Sequence, residues 1–175
     1  MILVTVGTHR QGFDRLVQPM DELTAVLGEQ VVIQRGSSTY EPRHAEHFQW
    51  TTSQRMEQLT QTARVVVTHA AAGAILLALH HRRPLVVIPR SRRCGEHVDD
   101  HQYQLARALD AAGKAVAVFD PTAARLRTAI EQASQLEAES EGPGKLVCAL
   151  RRQLALWSCT GAAAKRTVDG HDDLA

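Results

Sequence analysis

The sequence predicts an α/β protein built on a parallel sheet with helices on both faces. Three observations lead there. Strand-like runs alternate with helical ones from the first residue to about Phe119. The strand runs are continuously apolar, as in Val65-Val66-Val67 and Leu85-Val86-Val87-Ile88, and lack a period of two. Strands covered on both faces read that way. Glycine, proline or polar loops then follow the apolar runs, where a chain must turn.

Ile2 to Val6 is the first apolar run, closed by Gly7. Phe13, Leu16, Val17, Met20, Leu23 and Leu27 recur at helical spacing, and Gly28 stops them. Val31-Val32-Ile33 predicts a second strand, and Phe48-Gln49-Trp50 a short third one. Met56, Leu59 and Ala63 suggest a brief helix. Val65 to Val67 is a buried strand ending at Thr68-His69, and Ile75 to Leu79 continues as a helix that stops before Pro84. Leu85 to Ile88 is the next strand. Tyr103, Leu105, Ala106 and Leu109 mark a helix ended by Gly113, and Ala115 to Phe119 is the last strand. Ala123 to Glu139 predicts a helix. A break follows at Gly142-Pro143-Gly144, then a terminal amphipathic helix from Leu146 to Trp157. This reading gives one domain over residues 1–158 and a polar, flexible tail over 159–175.

Composition narrows the class. The 175 residues carry 20 Lys and Arg against 19 Asp and Glu, a net charge of +1. Nucleic-acid binding rests on neutralising phosphates, so this balance offers no case for it. Hydrophobic residues at 44% against 22% charged fit a globular chain, and only 4% aromatics leave the core to Val, Leu, Ile and Ala. Cys94, Cys148 and Cys159 have no metal-ligand spacing and read as reduced thiols of a cytosolic protein. No segment reaches the ~20 apolar residues of a membrane span, and the start lacks a signal-peptide pattern.

Parallel sheets bind ligands outside the carboxyl ends of their strands. The expected site therefore lies in the loops after Val6, Ile33, Val67 and Ile88. Gly7-Thr8-His9-Arg10-Gln11-Gly12 has the glycine spacing of a P-loop, but Phe13-Asp14 replace its Lys and Ser/Thr, which excludes that motif. The turn either brings backbone N–H groups and the Thr8 hydroxyl to an anion or is an ordinary glycine turn. His69-Ala70-Ala71-Ala72-Gly73-Ala74 opens a helix with small side chains. That suits a phosphate at the positive end of the helix, and equally suits close packing of helix on sheet. Cys94 to Gln102 is the densest polar cluster. It reads as a solvated, acid-rich helix start, as a polyol site, or as a metal site using His97 and His101 at i, i+4.

Six pieces in this order carry a family resemblance. They are Val4-Thr5-Val6-Gly7-Thr8-His9, Phe13-Asp14-Arg15-Leu16, Gln34-Arg35-Gly36 with Ser38 to Pro42, Thr68-His69-Ala70 with Ala72-Gly73, Pro84 to Arg90, and Gly95 to Gln102. The chain resembles the C-terminal, donor-binding domain of glycosyltransferase family 28. More narrowly it resembles the small donor-binding subunits of split enzymes. These are the bacterial exopolysaccharide type and the catalytic subunit of the eukaryotic N-glycan GlcNAc transferase. The resemblance implies a Rossmann-like domain forming one half of a GT-B enzyme. It also implies inverting transfer from a UDP-sugar, with no cofactor and no obligatory metal.

Carried over by position, Gly7, Thr8 and His9 would border the diphosphate. His69 to Gly73, with Ala72 and Gly73 at the helix start, would face the phosphates. Asp100, His101 and Gln102 would lie by the donor sugar. His9 and His69 are the candidate proton carriers, since histidine titrates near neutral pH, and Arg10 or Arg90 is a candidate charge for the leaving group. The chain departs from the family at Leu77, where a ribose-binding Glu is usual, and at Ala71 and Ala74, which replace Gly and Ser. A complete enzyme of this architecture has two such domains. The expectation is therefore a partner that supplies the acceptor side and a membrane anchor, holding this cytoplasmic chain peripherally at the inner face of the cell membrane. The competing expectation, favoured by Leu77, is a non-catalytic nucleotide-sugar-binding or scaffold subunit.

Overall fold

Apolar runs of four or five residues become the central strands, because no other element buries both faces of so short a segment. The computed structural model describes residues 1–98 and 101–136. The strands are β1 (Ile2–Thr5), β2 (Val31–Gln34), β3 (Glu46–Phe48), β4 (Val65–His69), β5 (Leu85–Ile88) and β6 (Val116–Ala117). The helices are α1 (Asp14–Leu27), α2 (Ser53–Thr62), α3 (Ala72–His80), α4 (His101–Ala111) and α5 (Ala123–Gln135), with a 3-10 turn at Arg92–Cys94. The six strands form one sheet in the order β3-β2-β1-β4-β5-β6. Every pairing is parallel.

Successive side chains along a strand point to opposite faces. Ile2, Val4, Val31, Ile33, Val65, Val67, Val86 and Ile88 join Leu16, Val17, Met20 and Leu23 of α1 and Leu126, Ala129 and Ile130 of α5 in one buried cluster. The intervening Leu3, Val32, Val66 and Val87 are equally buried and face the other way, the side on which α3 packs against β4 and β5. Neither face of the central strands meets water, which is why they carry no polar alternation.

Three boundaries differ from the sequence reading. The third strand is Glu46–Phe48, and it ends before Trp50, whose side chain is half exposed. As an edge strand it needs no apolar run. The last strand shrinks to Val116–Ala117 at the opposite edge, and α5 stops at Gln135. The expected break at 142–144, the helix at 146–157 and the tail at 159–175 lie outside the described residues.

The order reverses between β1 and β4. β1 leads outward through β2 to β3, and β4 leads outward through β5 to β6. At such a switch point the loops leave in opposite directions and open a crevice at the carboxyl edge. The register pairs Thr5 with Thr68 and His69 with Ile88. The turn at Gly7, the segment His69–Ala71 and Arg90 therefore emerge side by side.

Candidate active site

The turn after β1 is held from below. Gly7 takes a left-handed φ of 76°, and a Cβ there would lie 2.5 Å from His69 Cε1 and 2.6 Å from its Nε2. Only glycine permits both the turn and the imidazole beneath it. Gln34 at the end of β2 clamps the turn with both ends of its amide. Its Oε1 accepts from the Gly7 N–H and the Thr5 hydroxyl, at 3.1 and 2.7 Å, and its Nε2 donates to the Gly7 carbonyl at 3.1 Å. Gly36 comes so near that a Cβ would stand 2.7 Å from the Gly7 oxygen. Further along, the Ser37 hydroxyl donates to the His9 carbonyl, and the Ser38 Oγ accepts from the Phe13 N–H. Asp14 accepts from the Thr39 and Tyr40 backbones. The segment after β2 is thus the buttress of the loop after β1.

The loop after β4 starts α3 without a side-chain cap: Ala71 is the cap residue and has no hydroxyl or carboxylate to offer. The first-turn N–H groups of a helix have no intrahelical acceptor, and here no side chain takes their place. Gly73 is exposed, and a Cβ on it would touch nothing within 4 Å.

Arg90 dominates the loop after β5. Its side chain is 1% exposed. Nη2 donates to the Val6 carbonyl at 2.7 Å, and Nη1 donates to the carbonyls of Gln11 and Gly12 at 2.9 Å each and of Glu96 at 3.1 Å. Its guanidinium lies 4.8 Å from the centroid of the Phe13 ring. Its backbone N–H donates to Gln102 Oε1 at 3.0 Å. Glu96 is buried as well. It takes a two-pronged ion pair from Arg15, at 2.9 and 2.8 Å, and a bond from the Ser91 N–H. The polar cluster is therefore not a solvated helix start at Glu96. Nor do His97 and His101 share a helical face, since His97 precedes α4 in irregular backbone. Among the described residues no three His, Cys, Asp or Glu side chains are arranged to hold a metal ion.

These three loops enclose an open cleft of about 720 Å³, within the roughly 300–1,000 Å³ usual for small-molecule sites. Thr8, His9, Arg10 and Gln11 line it from the first loop, His69 and Ala71 from the second, and Arg90, His97, Val98 and Gln102 from the third. The lining contains no carboxylate among the described residues. Burial and the neighbouring Arg90 charge hold the His69 imidazole down at about 4, only partly opposed by its hydrogen bond to the Thr5 backbone. His9 is lowered by burial, by Arg90 and by His97, whose ring it meets at 5.1 Å between centroids. Both histidines are therefore mainly neutral near pH 7. Burial also lowers the Arg90 guanidinium, to about 10, so it stays charged. His9 Nδ1 accepts from the Gln11 N–H at 3.3 Å, which leaves the proton of the neutral ring on Nε2.

Of the residues singled out in the sequence, Thr8, His9, His69 and Gln102 come together as cleft lining, with Gly7 against His69. Ala72 and Gly73 begin α3 but do not line the cleft, and their neighbour Ala71 does. His101 begins α4, also outside the lining. Asp100 lies outside the described residues. Gln102 differs from expectation in one respect: its acceptor end is engaged by Arg90, so the fixed amide offers its NH2 end as the hydrogen-bonding group. Sequence reasoning treated Arg90 as a charge for the leaving group, yet four carbonyls hold its guanidinium. It gave Gln34 no role beyond the family piece that contains it, and weighed His97 only as a metal ligand paired with His101. The signal for Gln34 was a lone polar residue closing an apolar strand.

The family model of the glycosyltransferase family 28 C-terminal domain matches residues 1–143. No curated protein matches the sequence significantly. Among solved structures, the glycotransferase of kitacinnamycin superimposes with a TM-score of 0.61 at 24% identity, over 77% of this chain and 34% of its own. CalG4, the calicheamicin glycosyltransferase, gives 0.58 at 18% identity, over 88% and 43%. MurG of Acinetobacter baumannii gives 0.56 at 18% identity, over 79% and 42%. These likenesses establish the fold, a Rossmann-like half of the GT-B type, and the chain spans less than half the length of each structure. With the family model covering most of the sequence, the chain belongs to the glycosyltransferase family 28 C-terminal domain family.

Proposed function

We propose that this chain is the donor-binding catalytic subunit of a two-component, inverting glycosyltransferase. In this reading it moves a hexose from a UDP-sugar to a lipid-linked saccharide acceptor in polysaccharide synthesis. The observation that carries the reading is the lining of the cleft. The uncapped helix start beside Ala71, the Thr8 hydroxyl, the Nε2–H of His9 and the charge of Arg10 all offer donors. No described carboxylate repels an anion there. A diphosphate supplies the matching acceptors.

Transfer breaks the bond between the anomeric carbon and the β-phosphate oxygen as the acceptor hydroxyl attacks from the opposite face. The proton of that hydroxyl passes to a base, and UDP departs with the bonding electrons. The cleft donors stabilise the charge that develops on the diphosphate. An efficient base has its pKa near the working pH. His69 at about 4 is far below that range, and the His9 tautomer presents a donor. In this reading the base comes from a second, acceptor-side subunit. That membrane-anchored partner would hold this chain at the cytoplasmic face of the membrane. No described helix is long and apolar enough to span one.

Leu77 on α3 favours the second reading, a non-catalytic nucleotide-sugar-binding or scaffold subunit. A leucine cannot hydrogen-bond a ribose hydroxyl. Calorimetry with UDP, without added metal, tests binding under either reading. Gly73→Val should leave stability unchanged, because its Cβ meets open space, and should weaken UDP binding by crowding the start of α3. Unchanged affinity would show that the nucleotide stays at Ala71 and does not reach the first turn of α3. Transfer assays with and without the co-expressed partner separate the two readings: a binding-only subunit leaves the partner's activity unchanged.

A further inference from the structure

We propose that Arg90 is a positioning residue that locks the loop before α1 and the loop before α4 into one unit, so that geometry set at the diphosphate is transmitted to the sugar end. The inference rests on the donor-binding reading above.

A single buried side chain makes the connection. The Arg90 guanidinium donates to Val6, Gln11 and Gly12 on one side of the cleft and to Glu96 on the other. Its own N–H is held by Gln102, which lines the cleft on the side of α4. Glu96 is fixed in turn by Arg15 and the Ser91 N–H. Arg15 also donates to the Pro89 carbonyl, beside Arg90. The planar fork of an arginine reaches four carbonyls at once, whereas a lysine has three donors on one atom. Phe13, fully buried, lies within 4.8 Å of Arg90 and 5.3 Å of Arg15 and keeps both guanidiniums in place.

The same placement gives the cleft its field. Around Arg90 stand His9 and Arg10 on the first loop, His69 at the end of β4, and Glu96 and His97 ahead of α4. Its charge lies close enough to disfavour protonation of both His9 and His69. Removing that charge and removing that geometry are therefore separable perturbations.

Three measurements test the assignment. The first uses unmodified protein. Hydrogen exchange is followed with and without UDP, and the amides of Gly7–Gly12 and of Arg90-Ser91 should gain protection together. Protection confined to the first loop overturns the coupling. The second compares Arg90→Lys with the unmodified chain below the melting temperature of both. Lysine keeps the charge and loses the fork, so UDP affinity should fall by about ten- to a hundredfold, the equivalent of one or two lost buried bonds. Equal affinity in a folded variant overturns the proposal. The third records the His9 and His69 ring titrations by NMR. Arg90→Gln should raise both midpoints, and Arg90→Lys should leave them lowered, a contrast that a purely structural role would not produce. Unshifted midpoints in Arg90→Gln overturn the electrostatic part. If the unmodified protein binds no UDP at all, the donor-binding reading fails and this inference falls with it. If it binds UDP and the variants match it, only the inference falls.

Discussion

Gly36 sits where a Cβ would collide with the backbone of the Gly7 turn, and the cost of replacing it can be worked from two neighbouring facts. Its φ is +54°, and a Cβ would lie 2.7 Å from the Gly7 carbonyl oxygen and 3.1 Å from Val6 Cγ2. Gly28, after α1, has a similar φ of +63° with nothing within 4 Å. Gly28→Ala therefore isolates the backbone penalty. A left-handed alanine costs ~1–2 kcal/mol, offset by ~0.4–1 kcal/mol from the restricted unfolded chain. The net loss should be about 0–1.6 kcal/mol. Gly36→Ala carries the same term plus the overlap. The Gly7 oxygen belongs to the backbone and cannot swing aside, so the turn must shift. The Gln34 Nε2 bond to that oxygen then weakens, at ~1 kcal/mol, and overpacking adds ~1–3 kcal/mol. The total is roughly 2–5.6 kcal/mol. At ~2–4 °C per kcal/mol for a chain of this size, thermal unfolding should fall by a few degrees for Gly28→Ala. For Gly36→Ala it should fall by about 4–22 °C. Calorimetry with UDP should show lost affinity in Gly36→Ala only. Equal stability losses at the two glycines would refute the claim that the segment after β2 buttresses the Gly7 turn.

Gln102→Ala should lower stability by ~1–3 kcal/mol, because it orphans the buried Arg90 N–H, and should lower both nucleotide affinity and transfer. Gln102→Glu keeps the acceptor for that N–H and loses the NH2 donor. It also adds a carboxylate to a cleft whose described lining has none, so nucleotide affinity should fall and transfer with the partner should fall further; if both survive, this residue does not touch the ligand. Acid should destabilise the fold through Asp21 and Glu29. Burial raises the Asp21 carboxyl, but bonds from Arg43, His44, Ala45 and Tyr40 outweigh it and hold the group below its ordinary value. Glu29 is held at about 2, chiefly by Arg64. Both native values lie below the unfolded ones, so the stabilisation is complete above about pH 4.5 and drains as pH falls toward 2. Urea midpoints from pH 7 to pH 2.5 should fall less steeply in Asp21→Asn than in the unmodified protein. Parallel slopes would show that Asp21 is not an acid-sensitive link.

Much of the fold was legible because the strands declare themselves. Val65 to Val67 and Leu85 to Ile88 are apolar without alternation, and only a sheet covered on both faces satisfies such a run. Their order with the intervening helices, and the glycine at position 7, place the ligand loops at one edge. The edge strands were read less well. Glu46–Phe48 and Val116–Ala117 bury little, so their sequences carry no strong pattern, and pairing with β2 and β5 alone defines them.

The sequence by itself determined the parallel architecture, the family, and the three loops that meet at the cleft, because burial and turn chemistry leave local marks on composition and spacing. Tertiary structure decided what each polar residue in those loops does. Glu96 reads as an exposed acid beside a histidine-rich run, yet Arg15, 81 residues away in sequence, makes it a buried ion-pair partner. Arg90 reads as a free cation, and carbonyls 78 to 84 residues distant make it a strut. Gln34 closes a strand, and only the register of β1 on β2 brings it under Gly7. The hydrogen-bonding capacity of a side chain is written in its identity. Its partner is chosen by the packing of distant segments, which no local pattern records.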